Sequence, residues 1–380
     1  MPVLRSGVHY PRSWEEFIAW FGDDGDCRDY LDWLRWPNGF VCPWCASNAG
    51  WQRADGRWDC GGCGRVISQT AGTIFDKTRT PLPLWFSAAW HMTNQKNGIS
   101  ALGLQRELRL GSAQTAWHML HRLRSAMVRA DRTLLRGEVE VDETLIGGEK
   151  HGPPGRGVLG KTLVAVAVEL KRPKGYGRCR LSVVPDAGAE SLQGFVRSNV
   201  ELGSALVTDG WPSYVGLGVS GDYEHTTISL PASDLEAHEE LPAVHRVASL
   251  LKRWLLGTHQ GAVSPEHLQT YLEEFTFRFN RRTSRRPGLL FYLLLEGAVT
   301  CRPLTYDQLA KIHRAKRPGH SPTPPTHPQP VRHPLETTER PWRNTHGATV
   351  TDWTALLLVT PARVGCATRS ACRRGSAPGL

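Results

Sequence analysis

The sequence predicts an α/β fold: a mixed sheet with helices, preceded by a small cysteine-bearing module and a helical segment, and followed by a disordered tail. Three observations carry that expectation. Residues from Gly137 to Ile228 fall into short, Val-rich alternating runs interrupted by one amphipathic stretch. Four cysteines stand in two CxxC pairs near the N-terminus. Beyond Arg317 the periodicity stops and Pro, Ser and Arg accumulate.

At the N-terminal end, Ser13-Trp14-Glu15-Glu16 matches a capping box, and Phe17, Trp20 and Phe21 continue it as one helical face. A second helix is expected from about Cys27 to Arg35, ending at Pro37. Cys42-Pro43-Trp44-Cys45 and Cys60-Gly61-Gly62-Cys63 follow, with fourteen residues between the pairs. This spacing fits a tetrahedral all-cysteine zinc ribbon, with Trp51 and Trp58 on its short strands. Two disulfides or an iron–sulfur centre are the alternatives; disulfides are disfavoured because nothing indicates export. Cys27, Cys179, Cys301, Cys366 and Cys372 lack ligand spacing.

Trp85 to Asn94 reads as a helix. Ile99 to Leu108 and Ala113 to Leu123, joined through Leu110-Gly111-Ser112, resemble a helix-turn-helix. In that arrangement Gln114, Thr115 and His118 would face base edges, while Arg122 and Arg124 would meet phosphates. The same pattern fits an ordinary helical hairpin.

From Gly137 three strands are expected, over Glu138 to Ile146, Thr162 to Leu170 and Arg178 to Val184. A helix from Ala189 to Asn199, a strand from Ala205 to Val207 ending at Thr208-Asp209-Gly210, and a short helix near Trp211 to Leu217 follow. A strand near Glu224 to Ile228 and helices at about Ala243 to Leu256 and Pro265 to Arg281 close the pattern. Three strands, helix, strand, helix, strand, helix is the order of a ribonuclease-H-like α/β domain. Gly155-Arg156-Gly157-Val158-Leu159-Gly160-Lys161-Thr162 matches the phosphate-loop pattern GxxxxGK[ST]. That motif works only when a helix follows. Here Leu163-Val164-Ala165-Val166-Ala167-Val168 favours a strand, so the segment reads as a basic hairpin with Lys150, Arg156 and Lys161 available to phosphates.

Asp142 on the first strand and Asp209 at the end of the fourth are the candidate acids, since ligands bind at strand ends in open sheets. Two carboxylates close together repel unless a cation lies between them, and Mg2+ prefers such oxygen ligands. His245 and Lys252 are seven residues apart on the later helix and share one face, about 10 Å along its axis. Read by itself, His245 equally fits a surface residue near a helix start.

Taken together, Glu138 to Thr144, Val207-Thr208-Asp209-Gly210-Trp211, His245 to Gly261 and Tyr271 to Arg282 resemble bacterial insertion-sequence transposases with a zinc ribbon and a DDE-type domain. The resemblance covers about residues 10 to 300. It implies Asp142, Asp209 and His245 as ligands of a divalent ion and Lys252 as a phosphate-holding lysine. Histidine in place of the usual third acid suits Mn2+ better than Mg2+. Glu236, Glu239 and Glu240 are rival third ligands, placed ahead of the helix. Arg253, Arg278, Arg281 and Arg282 are expected to run along the DNA backbone.

The expected domains are N-terminal helices and zinc ribbon (10–75), helix-turn-helix-like region (80–130), catalytic domain (137–300) and basic tail (301–380). The chain has 380 residues, 46 Lys and Arg against 36 Asp and Glu. From Arg302 onward there are twelve basic and four acidic residues, so the rest is nearly neutral and the charge alone does not indicate a DNA-binding fold. No run of eighteen apolar residues and no signal pattern is present, which points to a cytoplasmic, nucleoid-associated protein rather than a membrane one. The expected activity is binding of double-stranded DNA at terminal inverted repeats, followed by metal-dependent cleavage and strand transfer by a homodimer or larger assembly. The alternatives are a catalytically inactive zinc-ribbon DNA-binding regulator and a phosphate-loop nucleotidase.

Overall fold

The computed structural model describes residues 4–128, 132–147, 161–228, 241–261 and 263–302. Lys150, Arg156, Glu236, Glu239, Glu240 and the tail beyond 302 lie outside the described residues. Helix α1 (Trp14–Trp20) starts at Ser13, whose hydroxyl accepts from the Glu16 amide. Helix α2 (Asp24–Arg35) begins earlier than its apolar face suggested, because Asp23 accepts from the Gly25 and Asp26 amides and caps it. Strands β1 (Gly50–Gln52), β2 (Trp58–Cys60) and β3 (Val66–Ile67) form the small antiparallel ribbon. Helices α3 (Leu82–Asn94), α4 (Ala101–Glu107) and α5 (Ala113–Ser125) complete the N-terminal half.

The main sheet contains β4 (Glu138–Ile146), β5 (Thr162–Leu170), β6 (Tyr176–Val183), β7 (Ala205–Asp209) and β8 (Glu224–Ile228) in the order β6-β5-β4-β7-β8. The first three strands run antiparallel, and β4, β7 and β8 are parallel. Helix α6 (Ala189–Asn199), a 3-10 turn (Pro212–Tyr214) and α7 (Gly216–Val219) accompany the crossovers. The sheet is mixed, as the sequence predicted, with three antiparallel strands leading into a parallel pair of crossovers. β5 begins at Thr162, so a strand follows the GxxxxGK[ST] segment and the helix required by a phosphate loop is absent there.

Alternation divides the two faces of the sheet. Val139 and Val141 join Leu163, Ala165, Leu192 and Val196 on the α6 side. Val164, Val166 and Val168 face the other way and pack on α8 (Pro242–His259) and α9 (Leu268–Asn280).

Helix α10 (Pro287–Thr300) departs from the expected domain plan. Its Phe291, Leu294, Leu295 and Ala298 are buried in the N-terminal helical core with Phe17, Tyr30, Phe86 and Leu120, away from the main sheet. Gly288 and Gly297 permit that closeness: a methyl at either would lie 1.8 Å from the Pro11 carbonyl oxygen or 2.1 Å from that of Ala126. Among the described residues no helix is long and apolar enough to cross a membrane.

Candidate active site

The metal-binding end of the molecule is assembled by two matching turns. The amides of Ala46 and Gly64 donate back to the carbonyls of Cys42 and Cys60, with both residues left-handed at φ 59° and 65°. These turns bring Cys42, Cys45, Cys60 and Cys63 together with all sulfurs within 4.8 Å of one another. Cys42 and Cys63 are 3.8 Å apart and Cys45 and Cys60 3.5 Å. Tetrahedral zinc with 2.3 Å bonds requires sulfur separations of roughly 3.8 Å, so the donor set fits zinc. Trp36, Phe40 and Ile67 give the ribbon its own small core, with Phe40 stacked on Trp58 at 4.8 Å.

The second site lies where β4, β7 and α8 meet. The parallel register pairs Val141 with Thr208, so Asp142 and Asp209 are the next residues along neighbouring strands. Strand spacing puts their backbones roughly 5 Å apart. Parity sends both side chains toward α8: Val166, paired with Asp142, and Val207, two residues before Asp209, pack in the α8 core. The Asp209 side chain is buried and also accepts from the Trp211 amide at 3.2 Å. From α8, the His245 imidazole Nε2 comes within 4.0 Å of Asp142 Oδ2.

Asp142, Glu143, Thr144, Val166, Val244, His245, Ala248 and Lys252 line an open cleft of about 180 Å³. Val244, Ala248 and Lys252 follow the four-residue spacing of one helix stripe. Burial lowers the pKa of Lys252; the nearby charge of Lys161 lowers it further, and Asp142 opposes both. Among the described residues, the four cysteines are the group that brings three or more ligating side chains within 4.8 Å of one another. Asp142, Asp209 and His245 therefore form a more open set than the ribbon thiols, with the Asp142–His245 edge the one measured at contact range.

Two groups escaped the sequence reading. Glu140, only 3% exposed, shares the face of Asp142, and its Oε2 accepts from the Ala243 and Val244 amides at 2.7 and 3.0 Å. Tyr214, fully buried, donates to Glu143 Oε2 at 2.9 Å from the opposite face of β4. A signal for Glu140 was present: its parity with Asp142 put a second carboxylate on an interior strand face, where it requires partners.

The DNA-facing candidates divide. Gln114 is exposed, Thr115 and His118 are half-buried on the first turns of α5, and Lys161 and Arg253 lie at accessible positions. Arg122 instead donates to the Ile74 and Asp76 carbonyls. Arg124, also expected at phosphates, is 1% exposed and pairs with Glu274 at 2.8 Å. Arg278 donates to the Met92, Gln95 and Lys96 carbonyls. Arg281 lies over the Phe277 ring, and Arg282 donates to the Tyr176 and Gly177 carbonyls. Burial removes Arg124 from the phosphate-facing candidates; Arg122, Arg278 and Arg282 each also tie chain segments together, and Arg281 donates within its own helix to the Phe277 carbonyl.

Residues 134–280 match the ISXO2-like transposase domain, and residues 22–66 match the transposase zinc-ribbon domain. A protein of Halobacterium salinarum, described as an uncharacterized protein in transposable element ISH50, is 28% identical over 299 residues. That alignment spans 71% of this chain and 95% of the relative. Among solved structures, the catalytic core domain of BIV integrase is 20% identical, covers 40% of this chain and 88% of its own, and has a TM-score of 0.26. Along its sequence the chain thus carries, in the order of an insertion-sequence transposase, a transposase zinc-ribbon domain followed by an ISXO2-like transposase domain.

Proposed function

We propose that this transposase cuts and rejoins DNA at the ends of its element through Asp142, Asp209 and His245, with Lys252 holding a phosphate. The observation that carries the reading is the shared face: two aspartates on adjacent parallel strands, with His245 Nε2 4.0 Å from Asp142. Paired carboxylates at that spacing beside an imidazole suit a divalent ion, Mg2+ or, given the softer nitrogen ligand, Mn2+. A bound ion there would supply activation of water or a 3′-hydroxyl and stabilisation of the leaving oxygen.

The residues around it have separable tasks. Asp142 and Asp209 hold the charge that attracts the ion, and the Trp211 amide fixes one Asp209 oxygen. Lys252, at the mouth of the cleft, neutralises the scissile phosphate, with Lys161 adding positive charge beside it. The ribbon, the exposed start of α5 and Arg253 bind the terminal inverted repeats, and a dimer or larger assembly brings two ends together.

The test is cleavage of a duplex carrying the element's own end and flanking DNA, with Mg2+ or Mn2+ supplied. Asp142→Asn should reduce cleavage on the order of a thousandfold, because it removes several kcal/mol of transition-state stabilisation. Binding to the same duplex should be unchanged. Cleavage at the normal rate by Asp142→Asn would defeat the proposal, and a wild-type protein that binds the ends without cutting them would favour the regulator instead.

A further inference from the structure

We infer that Glu140 is the positioning residue of this site: from β4 it caps the N-terminus of α8 and so fixes His245 beside Asp142. The inference rests on the reading of Asp142, Asp209 and His245 given above.

Helix α8 has no cap of its own. Leu241 occupies the N-cap position and contributes no side-chain hydrogen bond, and Pro242 opens the helix without an amide hydrogen. The first turn nevertheless has its donors satisfied. The amides of Ala243 and Val244 donate to Glu140 Oε2, and the His245 amide donates to the Leu241 carbonyl at 3.3 Å. The cap is therefore supplied by a strand roughly one hundred positions earlier in the chain, in the way an N-cap aspartate supplies it locally.

The chemistry explains why a carboxylate is tolerated there. A carboxylate buried without partners would cost several kcal/mol. Here two amide bonds and the positive end of the helix dipole compensate.

The geometry links cap to site. Glu140 and Asp142 are two residues apart on one face of one strand, about 7 Å along it. On the helix, His245 follows the second donor, Val244, directly. Glu140 and Asp142 thus share a rigid strand, and Val244 and His245 share a rigid turn. The two amide bonds fix one pair against the other. Without them, α8 remains packed through Val247, Leu251 and Leu255, but its first turn loses the contact that sets the distance from His245 to Asp142.

The experiment compares full-length wild type, Glu140→Gln, Glu140→Met and Asp142→Asn, all with the ribbon zinc retained. The first readout is hydrogen exchange of the 243–245 amides without added Mg2+ or Mn2+. Glu140→Met should exchange about tenfold faster there, as expected for loss of a buried cap, while Glu140→Gln, whose side-chain carbonyl accepts the same bonds, should match wild type. The second readout is the Mn2+ concentration giving half-maximal end cleavage. It should rise about tenfold in Glu140→Met and stay near wild type in Glu140→Gln, because one ligand is less well held. If Glu140→Met does not fold, Glu140→Asp, too short to reach the α8 amides, replaces it in both assays.

Unchanged exchange and unchanged Mn2+ response in the uncapped variant would overturn the inference. So would a Glu140→Gln protein as inactive as Asp142→Asn with normal α8 exchange, since Glu140 would then act as a ligand. Failure of the underlying site reading is distinguishable, because in that case Asp142→Asn itself would still cleave.

Discussion

Lys252 shows how one side chain's surroundings set a measurable property. Burial and then Lys161 hold its pKa below the ordinary lysine value of 10.5, with Asp142 opposing. A lysine grips phosphate only while charged, so its contribution is complete below its pKa and is lost as pH rises through it. A lowered pKa moves that loss to lower pH than an isolated lysine would show. Lys161→Gln removes one of the two lowering influences, so the alkaline limb of the cleavage rate should shift to higher pH. Single-turnover cleavage across the alkaline range measures it. A limb that stays in place would mean that Lys252 does not carry the phosphate, or that Lys161 does not act on it.

Glycine separates a helix face pressed against neighbouring main chain from a helix face turned to solvent. Gly297→Ala on α10 would drive a methyl against the Ala126 carbonyl oxygen, and main chain on both sides has nowhere to retreat. The expected cost is about 2–3 kcal/mol. Gly194→Ala on the exposed face of α6, where nothing lies within 4 Å, should instead stabilise by about 0.5–1 kcal/mol. Urea unfolding of the two variants checks both signs. This contrast also marks the boundary of what could be read from the sequence. The strands of the sheet were legible because alternation records which residues face a core; the shared face of Asp142 and Asp209 was not, because it depends on the parallel register of β4 and β7. The allegiance of α10 was not legible, since Leu289 to Leu295 is apolar all round and periodicity cannot say which core receives it. Arg124 was misread because sequence reports a charge but not the buried carboxylate that pairs with it, and Glu140 was missed because its partners are amides of a distant helix.

Across the whole molecule, the N-terminal helices and the catalytic sheet meet along a polar seam. Arg278 binds the carbonyls of Met92, Gln95 and Lys96, and Trp254 Nε1 and Thr258 Oγ1 both donate to the Asn97 carbonyl at 2.8 and 2.7 Å. Trp254 and Thr258 belong to α8, the helix that also carries His245 and Lys252, so one rod touches both the cleft and the N-terminal helical half. At the centre of the seam Arg124 and Glu274 are 1% and 0% exposed and 2.8 Å apart, with the Arg124 guanidinium 4.0 Å above the Tyr271 ring. A pair buried this deeply contributes little net stability compared with apolar side chains of equal size, yet removing one partner strands the other charge. Glu274→Met should therefore destabilise the protein by about 3–5 kcal/mol, while Arg124→Met with Glu274→Met together should cost far less. A double-mutant cycle in urea measures the difference. If the single and double replacements proved equally costly, the seam would be held by the carbonyl contacts of Arg278, Trp254 and Thr258, with the ion pair contributing nothing specific to joining the halves.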